Sequence, residues 1–162
     1  MPKYYKLVSE NRKAYFDYNI IDVFKAGIVL SGAEVKSLRA GKANLNDSFG
    51  RVENGEVVLY NMHVSPYGKS RTMETEAKRP RKLLLNAREL RKIIGQVSQK
   101  GMTLVPTKLY FDGDWAKVDI ATAKSKKKYE KRETIRQRET DREVEKVLKG
   151  PRPEGRRSEG KK

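Results

Sequence analysis

The chain has no cysteine and a single histidine among its 162 residues. Without thiols there is no disulfide framework, no thiolate zinc site and no cysteine nucleophile, and a lone His63 excludes a multi-histidine metal centre. Acidic residues are scarce, with 21 Asp+Glu against 37 Lys+Arg, giving a formal net charge of +16. No stretch approaches the roughly 18 consecutive apolar residues of a membrane-spanning helix, and the opening MPKYYKLVSENRK lacks the apolar core of a signal peptide, so a cytoplasmic protein is expected. There is no internal repeat, Walker loop, dinucleotide fingerprint or Ser/His/Asp spacing. Little catalytic chemistry remains, so the expectation is a protein that is not an enzyme and carries no cofactor. What is abundant is positive charge, far beyond the needs of solubility, and it implies a polyanionic partner, with nucleic acid ahead of a membrane surface.

From Lys13 to about Ala123, aromatic and β-branched residues alternate with polar ones between Gly/Asn turns, which predicts a mainly β domain. Within SFGRVENGEVVLYNMHV at 48–64, Asn54-Gly55 supplies the positive φ of a tight hairpin turn. A second hairpin is predicted in MTLVPTKLYFDGDWAKVDIA at 102–121, turning at Asp112-Gly113, with Pro106 marking an edge or a bulge. Between them, Leu90, Ile93, Ile94 and Val97 recur at helical spacing in NARELRKIIGQVSQKG at 86–101, where Gly101 suits a C-terminal cap. GAEVKSLRAG at 32–41 reads as one short helix. Short strands with two inserted helices favour a small closed or partly open barrel, which removes exposed edges, over a sandwich.

The residues therefore divide into an N-terminal extension at 1–12, a β-barrel at 13–123 and a basic tail at 124–162. The tail carries 16 Lys+Arg and 8 Asp+Glu, half of the net charge, and too few apolar residues for a core of its own. It should be mobile when free, with a conditional helix from about Lys128 to Lys149 stopped by Gly150-Pro151. Glu133–Arg136, Glu139–Arg142 and Glu143–Lys146 would support that helix as i,i+3 pairs, and the last dozen residues read as disordered.

Basic residues interleave with turns and aromatics at Lys36, Arg39 and Lys42, at Lys78, Arg79, Arg81 and Lys82, and at Lys117, a pattern suited to the phosphates of folded RNA. Each lysine alone reads as a solvated face. Val35, Leu38, Leu83 and Leu85 read as core, Tyr110 and Trp115 as cross-strand packing partners, and His63 as a local contact. An RNA-processing enzyme would need Asp47, Asp112, Asp114 and Asp119 to converge on a magnesium ion, and they read better as turn and surface residues.

AGIVLSGAEVKSLRAGKANLNDSF at 26–49, NMHVSPY at 61–67 and RKLLLNARELRKIIGQVSQKGMTLVPTKLYF at 81–111 resemble the SsrA-binding protein family, also called small protein B. The resemblance runs in order from about Arg12 to Arg138 and includes KKKYEKRE in the tail. It implies a barrel of oligonucleotide-binding (OB-like) type with two or three flanking helices, which binds the tRNA-like domain of tmRNA (SsrA RNA) and acts in trans-translation on stalled ribosomes. It places RNA-contacting or supporting roles on Glu34, Lys36, Ser37, Arg39, Asn44, Leu84 and Lys117, and the pattern of basic residues adds Arg81 and Lys82 to the expected RNA-binding set. Ribosome-binding roles, in the decoding centre and the empty mRNA channel of the 70S ribosome, fall on Lys126, Lys127, Tyr129, Glu130, Lys131 and Arg132. The resemblance further implies a complex with translation elongation factor Tu, a monomeric chain and no membrane partner. A ribosomal or initiation-factor-like RNA-binding protein with the same barrel is the alternative.

Three departures from that family stand out. Lys25-Ala26-Gly27 replaces the usual Glu-Ala-Gly, Ser125 and Glu130 replace a glycine and an aspartate in the tail motif, and METEAKRP at 73–80 replaces the usual Asn-His-Asp-Pro segment.

Overall fold

The computed structural model describes residues 4–68 and 76–150, and the chain divides into two compact units between Lys126 and Lys127. The first unit begins with strand β1 (Tyr5–Glu10), the short helix α1 (Arg12–Asp17) and the long strand β2 (Tyr18–Ile28). Helix α2 (Gly32–Arg39) follows, then β3 (Ala43–Asn44), β4 (Phe49–Glu53), β5 (Glu56–Tyr60), β6 (His63–Val64) and β7 (Arg81–Leu84). Helix α3 (Ala87–Val97) leads to the long hairpin β8 (Met102–Asp112) and β9 (Trp115–Ser125).

Seven of these strands form one sheet in the order β1-β8-β4-β5-β7-β2-β9, and β8 also pairs with β9, so six strands close into a ring with β1 on the edge of β8. That closure is the small barrel expected from the sequence and rules out the sandwich. The sheet starts earlier than the expected boundary at Lys13, because Tyr5–Glu10 pairs with β8. It also ends later, because Lys124 and Ser125 pair with Asn19 and Tyr18. Ser125, which replaces the family's glycine, is thus the last residue of a strand.

Turn chemistry sets the hairpins. Asn54 and Gly55 both have positive φ, as a two-residue turn between β4 and β5 requires. The β8–β9 turn lies one residue beyond its expected place: Asp112 pairs with Trp115, and Gly113-Asp114 turn with only Gly113 at positive φ. A glycine at the first turn position satisfies a II′ turn, so Asp112 stays in the strand. Beside Pro106 the β8–β9 register slips by one residue, the bulge that proline foreshadowed. At Gly50, opposite Leu104, a Cβ would lie 2.8 Å from the Leu104 Cβ, so the β4–β8 contact requires glycine.

The core fills the ring with Phe24, Ile28, Leu59, Leu104, Phe111 and Ile120, and Leu38 of α2 and Ile93 of α3 join it, both fully buried. Val35, Leu85, Leu90 and Val97 pack against this core, as their spacing predicts. Helix α3 is shorter than the sequence suggested, since Ser98 caps it and Gly101, at positive φ, serves the turn into β8. Helix α1 was not foreseen. Its buried N-cap Asn11 accepts from the Ala14 N–H and donates to the Pro106 carbonyl at 3.1 Å, tying the helix to β8.

The second unit is helix α4 (Lys128–Lys149), with no buried residue and Gly150 at positive φ after its end. Its bounds match the expected conditional helix. Glu145 and Lys149 pair four residues apart, where the sequence pointed to i,i+3 pairs. The segment expected to be disordered lies outside the described residues.

Candidate nucleic-acid interface

Gly27 of β2 faces Leu84 of β7 across one edge and Lys117 of β9 across the other. Residues directly opposite in antiparallel pairs project to the same side, so Leu84 and Lys117 flank a position with no side chain on the outside of the barrel. Leu84 is 53% exposed, unusual for a leucine in a strand with buried neighbours on the other side. A Cβ at Gly27 would press to 3.3 Å against the Leu84 Cβ, so the glycine keeps a shallow notch between the two. Asp112 holds the Lys117 ammonium at 2.8 Å. Lys25 lies on the same outward face opposite Asp119, which Lys108 meets from its other neighbouring strand. The carboxylate that the resemblance expects at position 25 is therefore absent there, and one stands directly across the strand pair. Asp119 also accepts from the Tyr110 hydroxyl at 2.9 Å, and burial together with that hydrogen bond pushes the tyrosine well above its usual range.

Helix α2 presents Lys36 and Arg39 to solvent, Lys36 over the Tyr67 ring and Arg39 over the Phe111 ring, each 5.6 Å from the centroid. The Lys6 ammonium donates to the Arg39 carbonyl and so ties the end of this helix to β1. Asn44 is exposed and accepts from the Asn46 N–H at 2.7 Å, and Lys82 is exposed and paired with Glu56 at 2.5 Å.

Three other expected site residues lie inside. Glu34, Ser37 and Arg81 are 3%, 1% and 1% exposed. Glu34 caps its own helix, accepting from the Ser31 N–H at 2.9 Å while its own N–H donates to the Ser31 hydroxyl. Its carboxylate also takes both Arg79 (2.6 and 2.8 Å) and Arg81 (2.7 and 3.0 Å). Arg81 continues to the carbonyls of Met62, Arg79 and Ala77, pinning the chain at 77–81 beneath α2. Burial alone would raise the Glu34 pKa, but the hydrogen bonds from Arg79, Ser31 and Arg81 hold it below the ordinary glutamate value. Burial lowers the Arg81 pKa, against the pull of Glu34. The Ser37 hydroxyl has no hydrogen-bond partner among the described residues. The S-x-x-E spacing of Ser31 and Glu34 was a legible sign that Glu34 caps a helix.

Of the six tail residues, Lys126 closes the first unit, its ammonium on the Tyr15 carbonyl at 3.3 Å. The other five open α4. The Lys127 N–H donates to the Glu130 carboxylate at 2.8 Å, so Glu130 serves the helix start, and Tyr129 is 56% exposed.

Trp115 reverses its expected role: it is 75% exposed, whereas Tyr110 packs against Tyr5 with ring centroids 5.1 Å apart. Asp47 pairs with Lys13 at 3.0 Å and Asp112 with Lys117, so these carboxylates sit in separate local contacts. No cluster suited to a metal ion occurs among the described residues, and no described helix is long and apolar enough to cross a membrane.

A closed six-strand ring, a capped helix bearing exposed cations and an outward Leu-Gly-Lys row define a small, basic OB-like β-barrel protein. Within that class, the chain belongs to the SmpB protein family, whose model matches residues 8–150. It is 54% identical over 144 residues to the SsrA-binding protein of Carboxydothermus hydrogenoformans, covering 89% of this chain and 97% of that one. The SsrA-binding protein of Gloeobacter violaceus is 49% identical over 144 residues, covering 89% and 95%. Among solved structures, a chain from "tmRNA-SmpB: a journey to the center of the bacterial ribosome" matches with a TM-score of 0.62 and 46% identity, over 79% of this chain and 87% of that chain.

Proposed function

We propose that this chain binds the tRNA-like domain of tmRNA and delivers it to stalled ribosomes for trans-translation, in the cytoplasm and without catalysing a reaction itself. The observation that carries the reading is the exposed Leu84–Gly27–Lys117 row, on a barrel whose relatives are SsrA-binding proteins and whose structural neighbour comes from work on tmRNA-SmpB and the bacterial ribosome. Lys117 neutralises phosphate, Leu84 gives an apolar contact, and Gly27 lets RNA approach the backbone between them. Lys36, Arg39, Asn44 and Lys82 add polar contacts from exposed positions. Glu34, Arg81 and Ser37 act as supports, because folded RNA does not reach side chains this deeply buried.

The tail takes the decoding centre and the empty mRNA channel, with Lys126, Lys127, Lys131 and Arg132 meeting phosphates and Tyr129 free to stack. Elongation factor Tu completes the delivery complex, and the chain acts as a monomer. Isolating the tagged protein from its own cells and identifying the RNA it retains tests the reading. Enrichment of tmRNA over ribosomal RNA is expected, and bulk ribosomal RNA without tmRNA would refute it in favour of a ribosomal or initiation-factor-like role.

A further inference from the structure

Trp115 is the only tryptophan of the chain and the most exposed aromatic ring of its barrel, although it stands in a strand. The register shows what it stands among. Trp115 lies opposite Asp112, and Asp112 opposite Tyr5 of β1; two residues along, Lys117 lies opposite Tyr110, and Tyr110 opposite Leu7. Cross-strand partners share a face and so do residues two apart in a strand, so Trp115, Tyr5, Leu7 and Lys117 stand on one outer face. Lys117 also faces Gly27 and through it Leu84, which makes this face continuous with the row described above. Tyr5 and Leu7 are 58% and 45% exposed. Tyr5 is held in place by Tyr110, itself fixed by its hydrogen bond to Asp119, and Lys117 by Asp112.

Two exposed rings beside an anchored ammonium are the elements by which proteins hold unpaired nucleotides: rings take base faces and the cation takes the phosphate between them. A packing role is excluded for Trp115 by its exposure, and a net charge of +16 favours a polyanion over an apolar protein partner. We propose that Trp115 and Tyr5 form a stacking platform for unpaired nucleobases of the RNA engaged by Leu84 and Lys117, with Lys117 shared between the two. The proposal rests on the RNA-binding reading and extends its contact surface to the β8–β9 turn.

The lone tryptophan supplies the test. The full chain is titrated with end-labelled tRNA-like domain while label anisotropy and tryptophan emission are followed together, and in parallel with a short single-stranded RNA of mixed sequence. Emission is expected to fall in step with anisotropy, and the short RNA should quench it as well. Trp115→Leu and Tyr5→Leu should each weaken binding about 10-fold, with Trp115→Phe restoring most of the loss. Saturating anisotropy with unchanged emission, or parental affinity in Trp115→Leu, overturns the platform while the RNA-binding reading stands. If the tRNA-like domain does not bind, that reading fails, and the short RNA alone decides the platform: quenching supports it and no quenching overturns it. Quenching by an Asp/Glu-rich peptide but not by the short RNA would assign the face to a protein partner and overturn the proposal.

Discussion

Removing the Glu34 carboxylate separates a structural role from an RNA-contacting one. In Glu34→Ala, Arg81 loses its counter-charge while its side chain stays 0% exposed, Arg79 loses both of its carboxylate contacts, and the Ser31 N–H loses its cap. Breaking a buried ion pair from one side costs about 3–5 kcal/mol, because the remaining charge is left desolvated. The three carbonyls on Arg81 offset part of this but do not neutralise it. For a domain of this size about 4 °C of melting temperature accompanies each kcal/mol, so a drop of about 12–20 °C is expected. Arg79→Ala should cost about 1 kcal/mol, since Arg79 is 30% exposed and Glu34 keeps Arg81. Chemical denaturation followed by circular dichroism, with RNA affinity measured well below the midpoint, reads both effects. Folded Glu34→Ala should bind RNA within a few fold of the parent. A stability loss under about 1 kcal/mol together with a more than tenfold loss of affinity would refute the structural role and place Glu34 at the RNA.

The same carboxylate predicts a pH dependence: its folded pKa lies below the ordinary 4.5, so its contribution is fully present above that value and is lost as pH falls through the folded one. Denaturation midpoints should fall below about pH 4.5 in the parent and less steeply in Glu34→Gln, and equal slopes would contradict the assignment. Gly50→Ala should destabilise the barrel by about 1–3 kcal/mol through its clash with Leu104, measurable by thermal unfolding, and a neutral result would show that β4 can move aside. Truncation after Lys126, which keeps Lys124 and Ser125 in β9, should leave binding of the tRNA-like domain within a few fold while abolishing tagging on stalled ribosomes; lost RNA affinity would contradict that division.

Much of the fold was legible because its signals are local. Asn54-Gly55 can make little but a tight turn, and the spacing of Leu90, Ile93 and Val97 fits a helix. The bounds of α4 followed from Gly150-Pro151 and the charge pattern before it. Helix α1 escaped because six residues hold too little periodicity, and its cap Asn11 is fixed by contacts to Pro106 and Leu45 that lie far off in sequence. Of the candidate site, the sequence offered residue types but not their depth. Arg81 and Lys82 are neighbours in one basic run, yet strand alternation buries the first and exposes the second, so charge alone could not sort support from surface. Trp115 was misplaced for the related reason that aromatic strand residues usually pack, and only the register across β1, β8 and β9 shows that it faces outward.

The central claim, that the outer face around Gly27 holds the tRNA-like domain, is tested most directly by its salt dependence in Lys117→Ala and Leu84→Ala. For the parent, log affinity should fall with log salt by about 0.7–0.9 per neutralised phosphate. Lys117→Ala should weaken binding and reduce that slope by about 1, and Leu84→Ala should weaken binding with the slope unchanged. Parental affinity and parental slope in both variants would contradict the account.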